Sequence, residues 1–304
     1  MWRNSMRYIA LLIALTILPV MAAGINSNAG EYGFQFLQIP ANPVSAALAG
    51  NGIYQNNFAG AFIHNPAANL MDESFNLSVQ HSLWLVDTNY TQLIYSKGNR
   101  AQHFGLAARM LDYGKIDTRD DTGVIIGNYH PMDASLMANY ALRILPDHLL
   151  GINAGLVYEK LDTASSYGFS ADLGYLFLTP ITNAVYFASV RNIGLTSKMD
   201  VEDINLPLTI ETGLGYSYPL EGNTITGQIA INKALDTGIR TTASTEYTVQ
   251  GILKLRLGYK FFYDDEGLTA GMGLNWKNIN IDYGWMANSD RLNDTHSLGL
   301  TYHF

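Results

Sequence analysis

The sequence predicts an all-β protein, a transmembrane antiparallel β-barrel of about 14 strands with an N-terminal plug-like segment. Three observations predict it. From Phe75 onward, segments of roughly ten residues alternate apolar with polar or small side chains, which is the period-two signature of strands. The links between these segments alternate in length, as periplasmic turns and exterior loops do in outer-membrane barrels. The composition is 48% hydrophobic and only 14% charged, against about 25% charged in ordinary soluble domains. Past the N-terminus, no apolar run approaches the roughly 20 residues that a membrane helix needs.

The first element is an export signal over residues 1–23, "MWRNSMRYIALLIALTILPVMAA". Arg3 and Arg7 supply a basic start, Tyr8 to Val20 a short apolar core, and Ala22 or Ala23 a small residue for cleavage. Residues 24–73 show no strand alternation and form the plug-like segment, and residues 74–304 form the barrel. Within the barrel, strands are predicted to begin near Ser74, Asn89, Gln102, Ser135, Leu150, Tyr167, Asn183, Leu208, Thr224, Arg240, Leu253, Leu268, Asn278 and His296. "LKLRLGYKF" shows the alternation most cleanly. Leu253, Leu255, Leu257, Tyr259 and Phe261 share one face, and Lys254, Arg256, Gly258 and Lys260 share the other.

Short links such as "LPDH", "TPIT" and "EGN" fall after even-numbered segments. Long ones, including "DYGKIDTRDDTGVIIGNYHPMD" and "GLTSKMDVEDINLP", fall after odd-numbered ones. Both chain ends then lie on the periplasmic side. A soluble sandwich also alternates, but it has no need of leucine, tyrosine and tryptophan on the solvent face of nearly every strand. In hydrocarbon, closing the sheet pairs every backbone group and leaves no edge.

Residues 31–72 carry the pieces Phe36-Leu37-Gln38-Ile39-Pro40, Ala46-Ala47-Leu48-Ala49-Gly50 and Asn65-Pro66-Ala67. Asp112-Tyr113-Gly114-Lys115, Asp121-Thr122-Gly123, Gly168 to Gly174, Arg191-Asn192-Ile193-Gly194, Gly258-Tyr259-Lys260 and Glu266-Gly267-Leu268-Thr269 follow in order. With these pieces the chain resembles the PorV/PorQ family of outer-membrane proteins, which are built like the FadL long-chain fatty-acid channel. Val44 and Ser45 stand where that family's Ala-rich run usually carries an arginine. The resemblance implies a barrel with its N-terminal segment folded into or against the lumen. It also implies a docking or shuttle role in type IX-like protein export to the cell surface, with secretion-system subunits and exported cargo as partners. The alternative is a FadL-like transporter of hydrophobic small molecules.

Alternation places Arg109, Glu159, Asp172, Arg191, Glu211, Glu246, Lys254, Arg256, Lys260 and Asp282 on the lumen face. Their mixed signs predict a network of ion pairs and hydrogen bonds, directed largely at the N-terminal segment. Phe34, Phe36, Leu37, Ile39, Phe58 and Phe62 are the candidates for an apolar pocket between segment and wall. Asn65-Pro66-Ala67 predicts a turn that seats the segment, because proline restricts the residue before it and asparagine can bond its own backbone.

No catalytic or metal constellation stands out. The seven histidines form no spacing suited to a metal, the acidic run around Asp120 lacks the closing glutamate of a calcium loop, and no Gly-x-Ser-x-Gly frames a nucleophile. The chain has no cysteine, and its net charge of −8 argues against nucleic acid as a partner. The reading is a non-enzyme without a cofactor, in contact with outer-membrane lipid. The last strand ends on Tyr302 and Phe304, which resemble the C-terminal signal that the outer-membrane insertion machinery recognises.

Overall fold

The computed structural model describes residues 30–40, 42–53, 58–71, 75–289 and 292–304. The export signal and the strand start at Ser74 lie outside the described residues. The strands are β1 (Phe75–Leu83), β2 (Asn89–Gly98), β3 (Gln102–Asp112), β4 (Ile116–Arg119), β5 (Ile125–Tyr129), β6 (Met132–Leu145), β7 (His148–Lys160) and β8 (Ser165–Leu178). They continue with β9 (Ala184–Thr196), β10 (Thr209–Leu220), β11 (Asn223–Ala234), β12 (Arg240–Val249), β13 (Leu253–Phe261), β14 (Glu266–Trp276), β15 (Ile279–Asn288) and β16 (Thr295–His303).

Fourteen of these strands form one closed antiparallel barrel, with β16 pairing β1 to complete the ring. The remaining two, β4 and β5, make a hairpin inside the long link between β3 and β6, where the sequence predicts only loop. Wall strands run from 9 residues in β1 to 14 in β8. A tilted strand needs about 9–11 to cross the hydrocarbon, so each is long enough.

The burial pattern is that of a soluble protein turned inside out. Along β13, Arg256 is 4% exposed while Leu257 is 51% exposed. That inversion decides against the sandwich, because an outward belt of leucine and tyrosine is favourable only against lipid. Aromatic residues gather at the short-turn end, among them Phe75, Tyr95 and Phe104, whose rings meet edge-on in sequence. Such rings sit at the membrane interface.

The segment before β1 packs within the ring. It forms a 3-10 turn at Gln35–Gln38, the helices α1 (Pro43–Ala47) and α2 (Ala61–His64), and a second 3-10 turn at Ala68–Met71. Helix α1 starts where Asn42 accepts a hydrogen bond from Ser45 N at 2.8 Å and Pro43 takes the first turn. Both are ordinary N-terminal signals. Phe34, Phe36, Phe62, Leu48, Ile53 and Leu70 are almost fully buried. At about 1.5–3 kcal/mol for each large side chain, their burial is a main part of what holds the segment, beside its hydrogen bonds to the wall.

Close approach explains the small residues on the inner face of β14 and β15. A Cβ at Gly284 would stand 2.4 Å from Pro43 O, and one at Gly271 would stand 2.4 Å from Ala47 Cβ. Between them Thr269 Oγ1 donates to Ala47 O at 2.9 Å and accepts from Ala49 N at 3.1 Å. Helix α1 thus lies in a shallow notch that only glycine leaves open.

The chain end is fastened rather than frayed. Phe304 N donates to Phe75 O at 3.0 Å, and the two rings stack with centroids 4.1 Å apart. Tyr302 meets Phe304 edge-on at 4.8 Å. Replacing Phe304 by aspartate is expected to lower the fraction of assembled barrel, read as heat-modifiable migration, by several-fold. Normal assembly of F304D would remove both the insertion role and the need for this clasp.

Candidate functional site

At the long-loop end the barrel opens into a vestibule of roughly 760 Å³. Its contributors are far apart in sequence, namely the turn Gln35–Ile39, the β1–β2 link at Trp84, the end of β3 at Leu111 and Tyr113, and the loops around Asp236 and Tyr263. The vestibule has two unlike sides. Phe36, Leu37, Ile39, Trp84, Leu111 and Tyr113 belong to one apolar cluster with Phe34, Tyr90, Val157 and Leu206. Arg191, Glu211, Arg240, Thr242, Lys260 and Glu266 form the opposite side. The floor is made by the N-terminal segment itself, at Ala49, Gly50 and His64.

The outer end of the segment is tied to three places on the rim. Phe34 N donates to Glu159, Gly33 N donates to Asn205 O at 3.1 Å, and Gln35 Nε2 donates to Asp236 Oδ2 at 2.8 Å. Phe34 adopts a left-handed backbone with φ 56, which turns the chain into the 3-10 element and drives its ring into the apolar cluster.

On the polar side, placement depends on one irregularity in β9. Its register with β8 slips between Ala171 and Leu173, and Asn192 takes φ 62. Asp172 Oδ1 accepts from Asn192 N at 2.7 Å, while Asp172 Oδ2 accepts from Asn153 Nδ2 at 2.8 Å. The extra residue is a β-bulge, which bends the strand and re-aims side chains. Arg191, beside it, reaches Glu211 on β10 at 3.5 Å. Arg191 Nε has no hydrogen-bond partner among the described residues, and neither has His64 Nε2. Burial, with help from the guanidinium groups of Arg191 and Arg109, pulls the pKa of His64 down to about 3, so its ring is neutral.

Most of the other lumen charges pair with one another rather than with the segment, which corrects the direction expected for the network. Arg256 bonds Glu246 at 2.7 Å and Asp282 at 2.7 Å, below the vestibule on β12, β13 and β15. Lys260 pairs with Glu266 and lies 5.1 Å from the centre of the Tyr263 ring, which Arg240 also faces at 4.5 Å. Arg109 donates to Ser135 Oγ at 2.9 Å and stands 5.9 Å from the Phe36 ring centre. Lys254 is buried on the same inner face of β13. Glu159 does bond the segment directly, through Phe34 N.

Asn65-Pro66-Ala67 forms the second seat of the segment. Asn65 Oδ1 accepts from Ala67 N at 3.0 Å, and Asn65 Nδ2 donates to Ala188 O at 2.9 Å on β9. Asn139 of β6 donates to Pro66 O at 2.9 Å. Glycines again admit the backbone here. A Cβ at Gly151 would lie 2.2 Å from the Pro66 carbonyl carbon, and one at Gly174 would lie 2.3 Å from Asn65 Oδ1.

The six apolar candidates do not form one pocket. Phe36, Leu37 and Ile39 line the vestibule, and Phe34 is packed behind them. Phe58 instead joins Leu48, Leu70 and Phe187 in a second cluster, and Phe62 joins Ile63, Ile94 and Met137 in a third. Both are wedges between segment and wall. The acidic loop serves its own local structure. Asp120 Oδ1 accepts from Thr122 N and Val124 N, each at 2.9 Å, which locks the tip of the β4–β5 hairpin. Among the described residues, no group of three or more His, Asp or Glu side chains is arranged to hold a metal. Trp84, Leu111, Asp236 and His64 carry no signal in the sequence that singles them out. The last of these is legible only as the neighbour of the Asn65-Pro66-Ala67 turn.

No protein-family profile and no curated protein sequence matches the chain. Solved structures do. The monoaromatic hydrocarbon channel CymD superposes with a TM-score of 0.63 at 12% identity, over 87% of this chain and 97% of its own. The toluene transporter TodX of Pseudomonas putida gives 0.62 at 12% identity, over 86% and 97%. A FadL homologue of Pseudomonas aeruginosa gives 0.52 at 10% identity, over 87% and 98%. The fold is that of the FadL-type outer-membrane barrels. The FadL half of the sequence resemblance is thereby supported at the level of fold, and the PorV/PorQ half finds no counterpart among these structures. The protein is a multi-pass barrel of the outer membrane.

If the segment is the stopper of this barrel, opening its seat must loosen it. Gly174→Val places a branched side chain where Asn65 and Pro66 now sit, and overpacking of this kind costs about 1–3 kcal/mol or more. The barrel wall should still close. The expected result is a single-channel conductance in planar bilayers clearly above that of the unaltered protein, with heat-modifiable migration retained. Unchanged conductance in a folded G174V barrel would show that the segment is not held by this notch.

Proposed function

We propose that the protein is a channel that takes up small hydrophobic molecules from the exterior and passes them across the outer membrane. The observation that carries this reading is the vestibule, a cavity of roughly 760 Å³ with one apolar side, floored by the N-terminal segment. Cavities of about 300–1,000 Å³ with apolar walls and a few polar groups suit small-molecule ligands. The likeness to barrels described as hydrocarbon channels supports it.

The docking reading stands second. It draws on the sequence resemblance and on the β4–β5 hairpin, which exposes Val124, Ile125 and Ile126 beyond the barrel rim. The cavity has no part in that role, and none of the similar structures named above is a secretion component.

Expression in a host that lacks channels of this type should raise the rate of toluene entry several-fold over the empty vector. Replacing Leu37 by glutamate should abolish most of the gain, because it puts a charge on the apolar side while leaving the wall intact. Toluene entry equal to the vector control would reject the channel. Surface export lost in a deletion strain with toluene entry unaffected would promote the docking reading instead.

A further inference from the structure

The vestibule floor contains a feature that passage of plain hydrocarbon does not use. His64 is 4% exposed, its ring is neutral, and its Nε2 lacks a hydrogen-bond partner among the described residues. Arg191, another residue of the cavity lining, has a buried Nε that lacks one too. Leaving a buried polar atom unpaired costs about 1–3 kcal/mol, and native structures keep few such atoms. Two at one end of a cavity whose other side is phenylalanine, leucine and tryptophan describe a polar tip facing an apolar body.

The two atoms are chemically complementary to one group. Arg191 Nε carries a hydrogen and can only donate, while the Nε2 of a neutral imidazole accepts in one tautomer and donates in the other. A hydroxyl does both at one oxygen. A carboxylate fits less well, since Arg191 Nη2 already faces the carboxylate of Glu211 at 3.5 Å, and a second anion would meet that charge. A hydrocarbon leaves both atoms unpaired.

We propose that the vestibule selects apolar molecules that carry a single hydroxyl, such as alkylphenols, with His64 Nε2 accepting from the hydroxyl and Arg191 Nε donating to its oxygen. The ring of the ligand lies against Phe36, Leu37 and Leu111. This assignment rests on the channel reading and sharpens its substrate class.

The test compares toluene, p-cresol and p-toluate, which share one ring and methyl group and differ in the second substituent. Binding to the detergent-solubilised full chain is measured by titration calorimetry. p-Cresol is expected to bind about five- to tenfold more tightly than toluene, the scale of one or two net hydrogen bonds. His64→Leu should bring p-cresol down to the level of toluene. Arg191→Lys keeps the charge but removes the Nε donor, and should lower the p-cresol preference at least threefold, which covers the case in which H64L does not fold. Equal binding of toluene and p-cresol, or a preference unchanged in R191K, overturns the hydroxyl site while leaving the channel intact. Tighter binding of p-toluate than of p-cresol overturns it in favour of an anion site. Binding of none of the three overturns the channel reading and this inference together.

Discussion

Every part of this molecule follows from the need to pair backbone groups in hydrocarbon. An unpaired N–H or C=O there costs several kcal/mol, so the sheet must close, and β16 must find β1. Closure then creates a second requirement, because a fourteen-stranded ring encloses more space than its own side chains fill. The N-terminal segment answers it. The segment is rich in alanine, asparagine and glycine and carries no lysine or arginine between residues 30 and 71. Its backbone comes so near the wall that glycine is required at the contacts with Pro43 and Pro66.

The lumen that results is not uniform. Below the vestibule, Leu149, Leu176, Val185 and Phe187 present an apolar inner surface on β7 to β9, against which Leu70 and Ala68 rest. Across the lumen lie Glu246, Arg256 and Asp282, paired among themselves, and a run of serine, threonine and asparagine on β15, β16 and β1. A buried triad of this kind adds little net stability, since desolvation offsets most of the attraction, although breaking it is costly. Its effect here is spatial. It keeps one side of the lumen polar, and there the segment docks through the backbone of α1 at Gly271, Gly284 and Thr269. The segment's large apolar side chains at Phe58 and Leu70 pack with Leu149, Leu176 and Phe187 of the other side.

How much of this is legible in the sequence depends on periodicity. Strands repeat every two residues, so the phase that puts Leu257 outward and Arg256 inward can be read directly and yields both wall and ring. The segment has no such period. Phe36, Phe58 and Phe62 look alike in the sequence, and only the fold sends one to the vestibule and the others to separate clusters. The β9 bulge hides in the same way, because Asn192 breaks the phase by one residue just where Arg191 acquires its partner. The apolar inner faces of β8 and β9 are concealed too, since in "NAVYFASV" both faces are apolar and alternation vanishes. The β4–β5 hairpin resembles loop in the sequence because its short strands mix aspartate and arginine with isoleucine.

These features also locate where movement must occur if a molecule is to pass. The wall is hydrogen-bonded around its whole circumference, and breaking ladder bonds inside lipid is the costliest change available to it. The floor of the vestibule, by contrast, is a short stretch of segment at Ala49, Gly50 and His64. Its outer end hangs on polar ties through Gly33, Phe34, Gln35 and Gln38. Its inner seats at Pro43 and Pro66 are fixed by glycine notches on opposite sides of the ring. Between those seats the described residues are held by the packing of Phe58 and Phe62 and by a small set of hydrogen bonds to the wall, of Ala49 with Thr269, of Asn51 with Ser244 and Thr242, and of Phe62 O with Asn153. A passage that opens by shifting this middle stretch keeps the ring closed, the seats filled and the polar triad paired, and its cost is confined to apolar packing and the few hydrogen bonds of Ala49, Asn51 and Phe62 O.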